Sequence, residues 1–148
     1  MIGIIVTGHG GFAAGMESNA KMLAGAEAEL TTVAFADGMP LEELDAKLTA
    51  ALDSYQDRAC TIVLADVVGG TPFNHAATLS IGRPNVRVIS GANSGMLMDL
   101  CMRNITQDDV DDVDALADEL METAHEGITK FTLEPAAQDD LAEDEDGI

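Results

Sequence analysis

Apolar residues along this chain alternate between two rhythms. Met1 to Val6 is an unbroken, largely β-branched apolar run, which predicts a buried strand. Phe12, Met16, Ala20 and Leu23 then recur at helical spacing until Gly25 stops them. Leu30 to Phe35 predicts a second short strand. The turn Asp37-Gly38-Met39-Pro40 leads into a helix through about Tyr55, with Leu41, Leu44, Leu48 and Leu52 as its apolar stripe. Cys60 to Ala65 predicts a third strand, apolar except for Thr61, and a helix from Pro72 through Ile81 follows it. Val86 to Ile89 predicts a fourth strand and Met96 to Met102 a short apolar helix. Asp108 to His125 predicts a long acidic helix with Val110, Val113, Leu116, Leu120 and Met121 inward and Gly127 at its end. Phe131-Thr132-Leu133 predicts a short last strand.

Strands alternating with helices predict an α/β fold, a doubly wound and mostly parallel sheet with helices on both faces. The order of elements places one domain over residues 1–134. Residues 135–148 read as an acidic tail, because positions 139–148 hold six acids and no base, and disorder is expected there. No internal repeat and no interdomain linker is visible.

Composition narrows the picture. Hydrophobic residues are 47% of the chain but aromatic residues only 3%, so the core must be built from Ala, Val, Ile, Leu and Met, as parallel sheets packed by helices are. The net charge of -20 argues against nucleic acid and anionic membranes as partners. It fits a basic protein partner or a high-salt environment equally well. Cys60 and Cys101 stand alone in apolar contexts, without the spacing of a disulfide framework or a zinc site, which points to a reducing cytoplasm. The first strand starts at residue two, leaving no space for a signal peptide, and no apolar run reaches the length of a membrane span.

Candidate chemistry sits where strands end. Thr7-Gly8-His9-Gly10-Gly11 follows the first strand, and Asp66-Val67-Val68-Gly69-Gly70-Thr71-Pro72 follows the third. In doubly wound sheets, ligands bind in the crevice at the carboxyl ends of neighbouring strands. Taken by itself, His9 reads equally well as a structural histidine. The second motif favours the reactive reading. A carboxylate at Asp66 accepting from one imidazole nitrogen would fix the tautomer and leave the other nitrogen as a nucleophile. Gly10, Gly69, Gly70 and Thr71 resemble an anion cradle, with Thr71 expected as the N-cap of the next helix. The rival reading of Gly69 to Pro72 is a plain turn before a capped helix. The cradle would hold a phosphoryl group without arginine: the chain has seven Lys and Arg, none of them near either loop in sequence. No Walker A pattern and no metal-ligand spacing is present, so neither nucleotide hydrolysis nor a metal or other cofactor is expected.

The segments Ile5-Val6-Thr7-Gly8-His9-Gly10-Gly11-Phe12-Ala13 and Asp66-Val67-Val68-Gly69-Gly70-Thr71-Pro72-Phe73-Asn74 resemble the enzyme IIA component of the mannose-family sugar phosphotransferase system. The resemblance extends over about residues 1–134 and includes Gly91-Ala92-Asn93. It implies that His9 accepts phosphate from the phosphocarrier HPr and passes it to enzyme IIB, which serves the membrane components IIC and IID. It implies that Asp66 bonds the histidine Nδ1 so that Nε2 is phosphorylated, and that Thr71 helps hold the phosphate. It further implies a homodimer in which the last strand, here Phe131 to Leu133, runs antiparallel and is exchanged between subunits. Some relatives carry a hydroxyl residue directly after the aspartate, where this chain has Val67.

Two rival readings stand beside the relay. One is a regulatory module that binds partners according to its phosphorylation state. The other is a histidine phosphatase, disfavoured because Gly8 stands where an arginine would be expected. Among the remaining residues, His75 reads as a surface residue and His125 as a cation suiting a helix terminus. Met96, Met98 and Met102 read as packing residues. The aspartates from 108 to 114 read as a solvated helix start. Asn93 is divided evenly between lining the crevice and not. The transported sugar is not legible.

Overall fold

The computed structural model describes residues 1–133, so the expected tail lies outside the described residues. Among the described residues nine elements follow in chain order, strands and helices alternating until two helices close the series: β1 (Ile2–His9), α1 (Phe12–Ala24), β2 (Thr31–Phe35), α2 (Leu41–Ser54), β3 (Cys60–Ala65), α3 (Thr71–Ser80), β4 (Val86–Ile89), α4 (Ser94–Ile105) and α5 (Val113–Glu126). The four strands form one sheet in the order β2-β1-β3-β4, and every pairing is parallel. The chain winds outward from β1 to β2, then crosses back to β3 and on to β4. The point of reversal lies between β1 and β3, where a doubly wound sheet opens its crevice.

The period-two alternation of the central strands builds two cores. Ile2, Ile4 and Val6 of β1, with Cys60, Ile62 and Leu64 of β3, face one side. They pack against Met16 and Ala20 of α1, Leu97 and Leu100 of α4, and Leu116 and Leu120 of α5. Ile5 and Val63 face the other side, against Leu44, Leu48 and Leu52 of α2 and Ala76 of α3. Thr7 is a polar residue at 0% exposure inside β1, and its hydroxyl donates to the Val33 carbonyl at 2.8 Å, which removes the cost of burying it.

Three boundaries differ from expectation, and the first is β1, which runs on to His9 rather than stopping at Val6. The acidic helix begins at Val113, five residues late. Asp112 ends the loop and caps the helix, its carboxylate accepting from the N–H groups of Asp114 and Ala115. Aspartate competes for backbone donors and so is better placed at a cap than inside the first turn. The short apolar helix is longer than its apolar stretch, running from Ser94 to Ile105. The strand expected at Phe131 to Leu133 is not formed within the chain; these residues are irregular, with Phe131 66% and Leu133 65% exposed.

Candidate functional site

Register brings the two loops together. In the β1–β3 pair, Thr7 lies opposite Ala65, so the next residue of each strand, Gly8 and Asp66, emerges side by side, with His9 adjacent. Gly8 is needed there: a Cβ would stand 2.5 Å from the Phe12 ring and 3.0 Å from the Asp66 carboxyl carbon. His9 pairs in register with Phe35 at the end of β2, and the Phe35 ring meets its imidazole edge-on, with centroids 5.7 Å apart and planes at 71°. The ring is thus held on one side by an aromatic and on the other by a carboxylate.

Three donors converge on that carboxylate. Asp66 Oδ2 accepts from the His9 backbone N–H at 2.8 Å and lies 2.8 Å from His9 Nδ1, while Oδ1 accepts from the Val67 N–H at 2.8 Å. Burial alone would push the Asp66 carboxyl up. The hydrogen bonds from the His9 backbone, the His9 ring and Val67 outweigh it and hold the group below the ordinary carboxylate range. An ionised carboxylate only accepts, so Nδ1 carries the proton and Nε2 keeps its lone pair. The His9 side chain is 46% exposed at the rim of the crevice.

The glycine loop meets the imidazole at one residue, Gly70. Gly69 takes a φ of +76°, which an L side chain adopts only with strain. At Gly70 a Cβ would fall 2.8 Å from His9 Cε1, so the loop touches the ring only because the residue is glycine. Gly70, not Thr71, is the N-cap of α3, and no side chain caps that helix. The expectation for Thr71 is corrected accordingly: the extended cap position, φ -69° and ψ 158°, falls to Gly70, and Thr71 is the first helical residue with Pro72 following it in the first turn. The first-turn N–H groups of a helix lack partners within it, and in α3 those of Thr71 and Phe73 make no backbone hydrogen bond among the described residues, Pro72 having none to give. The Asn74 N–H already bonds the Gly70 carbonyl at 2.9 Å.

Two residues support the site without having been singled out for it. Asn74 donates from Nδ2 to the Gly69 carbonyl at 3.0 Å, fixing the glycine loop from the helix that follows it. Phe35 could have been found by the strand-end rule that found His9, since β2 is the neighbour of β1. The loop after β4 braces Asp66 from the other side: the N–H groups of Gly91 and Ala92 donate to the carbonyls of Asp66 and Ala65 at 3.2 and 3.1 Å.

Other candidates lie elsewhere. Asn93 does not line the crevice. Its Oδ1 accepts from the Met96 N–H at 3.0 Å, capping α4, and its Nδ2 donates to the Ala124 carbonyl at 2.9 Å, closing the end of α5. His75 is partly buried beside Asp45 rather than in the crevice. Met96 is core, Met98 is half-buried and Met102 is 44% exposed. Burial pushes the Cys101 thiol up to about 11, which makes it a packing residue. Six of the seven Lys and Arg pair with carboxylates outside the two strand-end loops, so none of these six cations is given to the crevice. Among those residues no cluster of three or more His, Cys, Asp or Glu is gathered as a metal site requires. No helix among them is long and apolar enough to cross a membrane.

Comparison with known proteins agrees with this architecture. A family model described as PTS system fructose IIA component (EIIA-man) matches residues 3–121. The chain is 30% identical over 134 residues to the PTS system mannose-specific EIIAB component of Escherichia coli strain K12, covering 90% of this chain but only 41% of that protein. It is 28% identical over 148 residues to the PTS system fructose-specific EIIA component of Bacillus subtilis, covering 98% of this chain and 99% of that one. The structure of a mannose/sorbose specific IIA subunit from Enterococcus faecalis superposes with a TM-score of 0.79 at 30% identity, over 89% of this chain and 96% of that chain. With the two strand-end motifs meeting at one crevice and the match running through both, the chain belongs to the EIIA-man family of phosphotransferase-system IIA components.

Proposed function

We propose that this protein is the phosphoryl-carrier subunit of a phosphoenolpyruvate-dependent sugar phosphotransferase system. His9 accepts a phosphoryl group from phospho-HPr and passes it to enzyme IIB, which in turn serves the membrane components IIC and IID. The observation that carries the reading is the 2.8 Å contact between His9 Nδ1 and Asp66. It leaves Nε2 as the nucleophile. The Nε2 lone pair forms the new P–N bond as the bond between phosphorus and the donor's histidine breaks. Nδ1 keeps its proton, and Asp66 stabilises the charge that the ring gains. The Gly69, Thr71 and Phe73 N–H groups and the Thr71 hydroxyl receive the phosphoryl oxygens, while the Gly10 and Gly70 amides, given to the Phe35 and Val67 carbonyls at 2.9 and 3.2 Å, shape the two loops around them. Onward transfer to IIB is the same step in reverse. An exposed ring suits this task, since a carrier must meet two protein partners in turn and needs no enclosed cavity.

The carrier domain comprises residues 1–134 and works in the cytoplasm as a homodimer. Ile128, Phe131 and Leu133 are 76%, 66% and 65% exposed beyond the end of α5, a set of apolar side chains that a neighbouring subunit's sheet edge would cover. The test is transfer from purified phospho-HPr, followed by peptide mapping and addition of IIB. Label on His9, absent in His9→Ala and released to IIB, is the expected result. Label on His75 or His125 would overturn the assignment of His9. Uptake without release to IIB would replace the relay with a regulatory role.

A further inference from the structure

A second histidine–carboxylate pair lies one helical turn behind the glycine loop. His75 follows Thr71 by four residues on α3, which puts it on the same helix face, one turn further from the crevice. Its Nδ1 lies 2.5 Å from Asp45 Oδ1 on α2, with the His75 side chain 26% and the Asp45 side chain 44% exposed. Helix N-termini in this parallel sheet lie at the strands' carboxyl edge, so the pair bridges α2 and α3 at their site-facing ends. A second bridge, Arg83 to Asp53 at 2.6 Å, joins α2 to the segment after α3 at the far end. Between His75 and the crevice stands Asn74, whose side chain and N–H hold the carbonyls of Gly69 and Gly70. The chain of contacts thus runs from Asp45 through His75 and the first turn of α3 to the loop that touches the His9 ring.

We infer that Asp45 and His75 form a positioning pair that sets the first turn of α3, and with it the Gly69-Gly70-Thr71 cradle, against His9 for phosphoryl transfer. The inference rests on the proposed relay. Neither residue touches the transferred group. Each acts by removing a freedom of α3 that would let Gly70 and Thr71 drift from the imidazole, and small losses of alignment at a reacting centre are costly. The distant Arg83–Asp53 bridge ties α2 to the segment after α3 without bearing on the cradle. It separates positioning from plain stabilisation.

The experiment compares His75→Ala, Asp45→Ala, the double variant, His75→Gln and Arg83→Ala. The readouts are the transfer rate at saturating phospho-HPr and amide hydrogen exchange at Gly70 and Thr71. Each single alanine variant is expected to slow transfer by about tenfold, the low end for a lost supporting partner. The double variant should be no slower than either single one, because they break the same contact. His75→Gln, which keeps a donor for Asp45, should recover most of the rate, and Arg83→Ala should leave it unchanged. Unchanged transfer in the alanine variants, additive losses in the double, or equal slowing by Arg83→Ala would each overturn the pair's role. Should the wild type take no phosphate at all, the relay reading itself falls. The pair is then judged on exchange alone: faster exchange at Gly70 and Thr71 in the alanine variants upholds it, and unchanged exchange refutes it.

Discussion

Asp66 holds His9 twice through one oxygen: Oδ2 accepts the His9 backbone N–H and faces the His9 ring Nδ1, both at 2.8 Å. A single carboxylate therefore fixes where β1 ends, which way the imidazole turns and which nitrogen carries the proton. Chemistry and local folding are coupled at this residue, and the coupling makes its substitution informative.

Asp66→Asn should keep the fold, since an amide oxygen still accepts from backbone N–H groups. Phosphoryl uptake should slow by about a hundredfold or more, because the tautomer and the charge partner of the ring are both disturbed. Rapid-quench transfer from phospho-HPr measures the loss. A rate within threefold of wild type, roughly 0.6 kcal/mol of barrier, would show that Asp66 does not orient the ring.

Gly70→Ala tests the contact between loop and ring. The added Cβ would lie 2.8 Å from His9 Cε1, so the imidazole or the loop must move. Transfer should fall by at least about tenfold, while overall stability drops by only about 1 to 3 kcal/mol, the usual range for overpacking. Gly10→Ala, with open space at its Cβ but a φ of +55°, should cost about 1 kcal/mol by backbone strain and displace the ring less.

Acid should uncouple the pair. The Asp66 carboxyl is held below its ordinary value of 3.8, so its contribution to stability is present above that value and is lost as pH falls through the depressed one. The wild type should therefore melt above Asp66→Asn at neutral pH, and the gap between the two should close as the pH is lowered past the ordinary carboxylate range. Scanning calorimetry of both proteins across acidic pH checks it. A constant gap would mean that Asp66 gains no ionised-state stabilisation from its three donors.

Truncation before Thr129 should weaken or abolish the homodimer, because it removes the exposed Phe131 and Leu133, whereas removing residues 139–148 should not. Sedimentation at micromolar concentration reads both. A monomeric full chain, or a dimer unchanged by the longer truncation, would rule out exchange of the last segment.

Much of this protein was legible before any tertiary contact was known, and the reason is periodicity. Burial on both faces of β1 and β3 leaves continuous apolar runs in the sequence, and Leu41 to Leu52 marks α2 by its stripe. Because strand ends in a parallel sheet share one edge, the motifs after Val6 and Ala65 could be read as one crevice from sequence alone. What the sequence could not contain was register and reach. The Thr7–Ala65 pairing decides that Asp66 meets Nδ1, and the fit of Gly70 against Cε1 decides that the helix begins one residue earlier than a threonine cap implies. The roles of Phe35, Asn74 and His75 also depend on partners far away in the chain or on the loop's path. Asp45 lies thirty residues before His75, and nothing in either local pattern announces the other. Local composition selects the elements, because each is specified by its own buried face. Side-chain partnership across elements is decided only when the sheet closes and fixes which carbonyl, ring or carboxylate lies within hydrogen-bond distance.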